Sequence, residues 1–82
     1  MPHIISDHGF RLFFYSSDGR EPIHVHIEYQ DAEAKFWVKP VRIAVNYGLS
    51  NSELKFAEKL VIKHEQKIQE KWNEFFGKKN HT

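Results

Sequence analysis

The sequence predicts an α+β domain, with a three- to four-stranded antiparallel meander packed in two layers on one long C-terminal helix. Two observations lead to this class. Between Phe10 and Asn46, apolar residues recur at every second position in short runs separated by turn residues. From Leu54 onward they recur at three- and four-residue steps, the period of a helix. An amphipathic sheet and an amphipathic helix bury their apolar sides most simply against each other.

The 82 residues correspond to one domain, 1–82. A chain this short buries only about 60–65% of its unfolded surface, so its stability is narrow and a partner helps. Apolar residues make up 40% and aromatics 15%, which supports a packed core and argues against disorder. No cysteine is present, so neither a disulfide nor a zinc–thiolate site can staple the fold.

The elements follow in order. Residues 3–6 read as a short edge strand or an extended lead-in, and Ser6-Asp7-His8-Gly9 is turn chemistry. The aromatic run at 10–15, Phe-Arg-Leu-Phe-Phe-Tyr, reads as a buried strand. The polar loop 16–22, tightest at Asp18-Gly19, leads into a strand over 23–29 as a hairpin. Gln30-Asp31 turns the chain into a strand over 33–38, with Ala34, Phe36 and Val38 on one face and Lys35, Trp37 and Lys39 on the other. Pro40 interrupts, since proline cannot donate to a ladder. A strand over 41–46 follows, with Val41, Ile43 and Val45 on one side.

Ser50 and Glu53 form a capping-box pattern that opens a helix over roughly 50–76. Its stripe is Leu54, Ala57, Val61, His64, Ile68, Trp72 and Phe75, widened by Leu60 and Phe76. A break in this helix would fall near His64. Gly77 suits a C-cap, Lys78 and Lys79 suit the helix dipole, and 77–82 read as a frayed tail.

The segment Glu21-Pro22-Ile23-His24-Val25-His26-Ile27-Glu28-Tyr29 organises the rest. Val25, Ile27 and Tyr29 point toward the core, and His24, His26 and Glu28 point the other way. One helix covers one face of a sheet. The other face is therefore expected to stand open, presenting His24, His26, Glu28, Lys35, Trp37, Lys39 and Arg42.

An unperturbed imidazole has a pKa near ~6.5, so a pair of them can supply acid and base toward RNA near neutrality, and His24 and His26 are the catalytic candidates. Lys35, Lys39, Arg11 and Arg42 are candidate cations for the phosphate. A His24-x-His26 metal site, with Glu28 as third ligand, is an alternative. The plainer reading is cross-strand packing with hydrogen bonds across the sheet. Trp37 and Tyr15, set among lysines, suit stacking on a base or anchoring a protein partner. His64 reads as a satisfied core histidine.

The 12 basic and 11 acidic residues give a net +1, which is not the strong basic excess of a dedicated nucleic-acid binder, and leaves room for local basic patches. No apolar run exceeds four residues, so no helix is expected to span a membrane. The start, Met-Pro-His-Ile-Ile, lacks the pattern of a signal peptide. Together with the lack of cysteine, this gives a cytoplasmic expectation. Phosphate-binding glycine loops, nucleophile elbows and His-Glu-x-x-His are absent.

The opening Met-Pro-His-Ile, the aromatic strand after Gly9, the segment 22–29, and the helix carrying His64, Glu65 and Trp72 are together similar to a small bacterial family. That family is a domain of unknown function whose signature is Pro-Pro-His-x-His-x-x-Tyr. This chain has Ile23 where the second proline is usual. The resemblance implies a prokaryotic, cytoplasmic α+β protein encoded beside another small protein, as a toxin–antitoxin component. It carries over His24, His26 and Tyr29 as signature positions.

The first functional reading is thus a small interaction protein acting with a cognate partner encoded nearby. Glu28, Tyr29, Trp37, Lys35, Lys39 and Arg42 are its binding residues. RNA and a second copy of the chain are further partner classes. This reading requires no cofactor and assigns no metal ligand. A ribonuclease-like toxin using His24 and His26, and the His-x-His metal site, are the alternatives.

Overall fold

The computed structural model describes residues 3–77. Five strands form one antiparallel sheet in the order β1-β2-β3-β4-β5. They are β1 His3–Asp7, β2 Phe10–Phe13, β3 His24–Tyr29, β4 Ala32–Val38 and β5 Val41–Tyr47. Two helices, α1 Asn51–Lys63 and α2 Glu65–Trp72, follow, and a wider π-helical turn, Asn73–Gly77, ends the described chain. The α+β class holds. The strand count is five rather than three or four, because the lead-in is a true edge strand. A two-residue turn at His8-Gly9, both with positive φ, folds Asp7 opposite Phe10.

The sheet face that meets the helices is the expected one. Leu12, Val25, Ile27, Ala34, Phe36 and Val38 are buried there, with Ala57, Leu60, Val61 and Ile68 packed over them. The serine cap accounts for the start of α1: Glu53 N–H donates to Ser50 Oγ at 3.2 Å, and Ser50 N–H donates to Glu53 Oε1 at 2.9 Å.

The last strand departs from simple alternation. Phe36 pairs with Ile43 but Lys35 pairs with Val45, so Ala44 has no opposite number. This bulge rotates Val45 onto the face of Lys35, away from Val41 and Ile43. Ile43 keeps the parity of Phe36 yet is 43% exposed, because among the described residues no further strand pairs with the outer side of β5.

The helix is two helices. His64 separates α1 from α2 with φ −103° and ψ 15°, values outside the helical well. His64 is satisfied as expected, its Nε2 2.8 Å from Asp7 Oδ2 on β1, but it is half-buried rather than in the core. The kink redirects the apolar stripe. Ile68 and Trp72 remain buried, whereas Phe75, expected in the core, is 50% exposed. Gly77 lies within the closing π-helical turn, and Lys78, Lys79 and the rest of the predicted tail lie outside the described residues. No helix is long and apolar enough to cross a membrane among the described residues.

Candidate functional site

Strand β3 projects His24 and His26 from the side opposite Val25 and Ile27, as the two-residue period requires. The expectation that this side stands open is corrected by the structure. His24 is 0% exposed and His26 9%. The cover comes from the β2–β3 connection, which is not a simple hairpin loop. Strand β2 ends at Phe13, and Ser16–Arg20 forms a 3-10 turn that folds over the two rings.

Aromatic side chains complete the cover. Phe13 sits opposite His26 in the register and stacks on it, with centroids 5.5 Å apart. Tyr15 meets the His26 ring edge-on at 4.5 Å. From the helical side, Trp72 reaches the sheet end where β3 begins and lies 5.3 Å from the His24 ring. Close approach of the turn to the helix depends on Gly19, where an added Cβ would stand 2.7 Å from the Phe76 ring.

The organising group is Asp18. Its Oδ2 lies 3.1 Å from His26 Nε2, and its Oδ1 lies 3.2 Å from His24 Nε2. Asp18 Oδ2 also accepts the Tyr15 backbone N–H at 2.8 Å, which closes the 3-10 turn. One carboxylate therefore holds the turn together and presents itself to both imidazoles. On the far side of His26, Nδ1 lies 3.3 Å from Glu33 Oε2, and the Tyr15 hydroxyl donates to Glu33 at 3.3 Å. On the far side of His24, Nδ1 donates to the Pro22 carbonyl at 2.9 Å.

Burial pushes the His26 pKa below its ordinary value, since it penalises the imidazolium, and Asp18 opposes that shift only in part. Burial and the Glu33 carboxylate raise the Tyr15 pKa, so the phenol remains a donor. The Lys35 ammonium donates to Glu21 at 2.6 Å and lowers that carboxyl's pKa.

The other sequence candidates scatter. Glu28 pairs with Arg11 at 3.6 Å, on the row beyond His26, and does not join the histidines. Tyr29 is on the core face, stacked on Phe10 at 4.2 Å. Trp37 lies opposite His24 in the register, with their rings 5.7 Å apart, and carries the Lys35 ammonium 4.8 Å from its own centroid. Lys39 and Arg42 line a cleft with Pro22, Ile23, Trp37 and Pro40.

Two carboxylates of the site, Asp18 and Glu33, escape sequence reasoning. Asp18 reads as the polar half of a tight turn, and nothing in a linear pattern ties it to histidines six and eight residues on. Glu33 shares an outer face with His26 but belongs to the row of Glu28, which it faces across the β3–β4 pair.

A second ionic cluster ties the edge strand to the helical break. Hydrogen bonds from His64, then His8 and Lys63, hold the Asp7 carboxyl well below the usual carboxylate range. A carboxylate whose folded value lies below its unfolded one stabilises the fold above the unfolded value. That contribution is lost as pH falls. Stability is thus expected to decline as pH drops below the ordinary 3.8 of this group. In Asp7→Asn the same decline is expected to be flatter, with Tm a few degrees lower at neutral pH. Thermal melts of both proteins between about pH 2 and 7 check this.

No curated protein and no solved structure matches the chain. A family model, the domain of unknown function DUF4160, matches residues 9–73, a span that runs from the β1–β2 turn through β3 with its histidines to the residue after Trp72. The chain belongs to the DUF4160 family.

Proposed function

We propose that this protein is a small cytoplasmic interaction module that docks a cognate small partner encoded nearby, as one half of a toxin–antitoxin pair. The observation that supports this reading is the β4–β5 end of the outer face. There Trp37, Lys39 and Arg42 surround a cleft of about 240 Å³ together with Pro22 and Ile23. Among the described residues, neither Lys39 nor Arg42 has a salt-bridge partner, whereas Lys35 is engaged by Glu21. A half-buried indole flanked by unengaged cations is the composition of an interface anchor.

The adjoining edge has the matching backbone. Among the described residues strand β5 pairs with β4 alone, and it exposes Ile43 and Tyr47 along its length. The bulge at Ala44 interrupts the ladder, and Val41–Ile43 is the stretch of this edge that lies beside the Trp37 cleft. The partner this surface fits is an extended segment with apolar and acidic side chains. The acid–base alternative draws less support, because a phosphodiester reaches His24 Nε2 only if Ser16–Arg20 lifts away.

Co-expression with the product of the adjacent small gene tests the proposal. A one-to-one complex is expected. Trp37→Ala and Arg42→Glu should each weaken it by about 30-fold or more, the scale of an anchor worth roughly 2 kcal/mol. Both variants should keep the wild-type circular dichroism. A chain that ignores that product, or variants that bind it as tightly as the wild type, would overturn the reading.

A further inference from the structure

We infer that Asp18, His24 and His26 form a binding site for one divalent transition-metal ion, which fastens the Ser16–Arg20 turn onto strand β3. A carboxylate oxygen and two imidazole nitrogens lie within 4.8 Å of one another, all on the covered side of the sheet. Imidazole donors favour zinc-like ions over magnesium or calcium.

The arrangement of protons points to a cation. A carbonyl oxygen only accepts, so the His24 proton is on Nδ1, donated to Pro22. In its neutral form the ring then carries a bare lone pair on Nε2. That atom is fully buried and has no hydrogen-bond partner among the described residues. Asp18 Oδ1 lies 3.2 Å from it, without hydrogen-bonding geometry. A lone pair facing a carboxylate in a buried place is repulsive, and such an unpaired atom costs free energy. A cation between them turns the repulsion into coordination.

His26 fits the same site. Its Nε2 faces Asp18 Oδ2, and its Nδ1 faces Glu33 Oε2, so the ring's proton can be held on either nitrogen. When the ion takes Nε2, the proton goes to Nδ1 and is donated to Glu33, which the Tyr15 hydroxyl holds. Both rings would then have the outer support typical of metal-binding histidines, one from a backbone carbonyl and one from a carboxylate.

Ligand distances near ~2.1 Å place donor atoms about 3.0–3.4 Å apart, so binding draws the more widely spaced donors inward. Three protein ligands leave the fourth position of a tetrahedral ion to a water. The third ligand is Asp18, not Glu28, because Glu28 is held by Arg11 on another row.

Titration of the chelator-stripped protein with zinc sulfate tests the site. One equivalent is expected to bind, with Tm rising by about 10–20 °C at a hundredfold excess over the dissociation constant. Long-range proton–nitrogen NMR spectra should show the His24 and His26 Nε2 signals moving together, while His8 and His64 stay in place. Asp18→Asn should weaken binding by about 100-fold or more. The NMR readout needs no variant, so it stands even if Asp18→Asn folds poorly. Failure to saturate by millimolar zinc would overturn the inference. So would shifts confined to His8, His64 or the terminal histidines, or a folded Asp18→Asn that binds like the wild type.

Discussion

Replacing Trp72 with alanine is expected to lower stability by about 3–5 kcal/mol, the usual cost of removing a large aromatic from a packed site. A chain of 82 residues has only about 4–12 kcal/mol in total at typical stability per residue. Trp72→Ala should therefore leave a large unfolded fraction at 37 °C. The indole stands against Phe14 at 5.2 Å, Phe76 at 4.4 Å and the His24 ring at 5.3 Å. These contacts join the end of α2 to the exit of β2 and the start of β3. The loss is thus not confined to one layer: it also opens a route for water to His24. Urea denaturation should show the midpoint shift. Hydrogen exchange should show the amides of β3 near His24 losing more protection than those of β4.

Asp18→Ala is expected to cost about 2–3 kcal/mol, which is large for a residue in a surface turn. The substitution removes the acceptor for the Tyr15 N–H and the partner of His26 Nε2. The turn loses its capping group, and one buried imidazole loses its hydrogen bond. Asp18→Asn should recover part of the loss, because an amide oxygen still accepts from Tyr15 N–H. Denaturant midpoints of the three proteins in metal-free buffer, measured side by side, check the order wild type, Asn, Ala. An alanine variant as stable as the wild type would mean that the turn does not rely on this carboxylate.

These two residues mark the limit of a linear reading. The helical stripe names Trp72 as apolar, and it is buried. Nothing in the period tells which end of the sheet it reaches, because that depends on the break at His64. Asp18 is legible as turn chemistry but not as the partner of two histidines, because the Ser16–Arg20 turn folds back on a strand formed later in the chain. The Glu33 contact with His26 requires the β3–β4 register, which a two-residue turn with positive φ at Gln30 sets.

The α+β class, the meander, the capped start of α1 and the opposite facing of Val25/Ile27 and His24/His26 are all written in the linear order of residues. Each of these rests on period or on turn and cap chemistry, which act between near neighbours. The covering of the histidine side, the parting of α1 and α2 at His64, the bulge at Ala44 and the exposure of Ile43 and Phe75 emerge only in the folded chain. Those outcomes depend on contacts between residues distant in the chain. Asp7 holds His64, Asp18 spans His24 and His26, and the edge position of β5 leaves Ile43 uncovered. Local preference does not encode which distant group arrives. Packing, and the need to pair buried polar atoms, selects it.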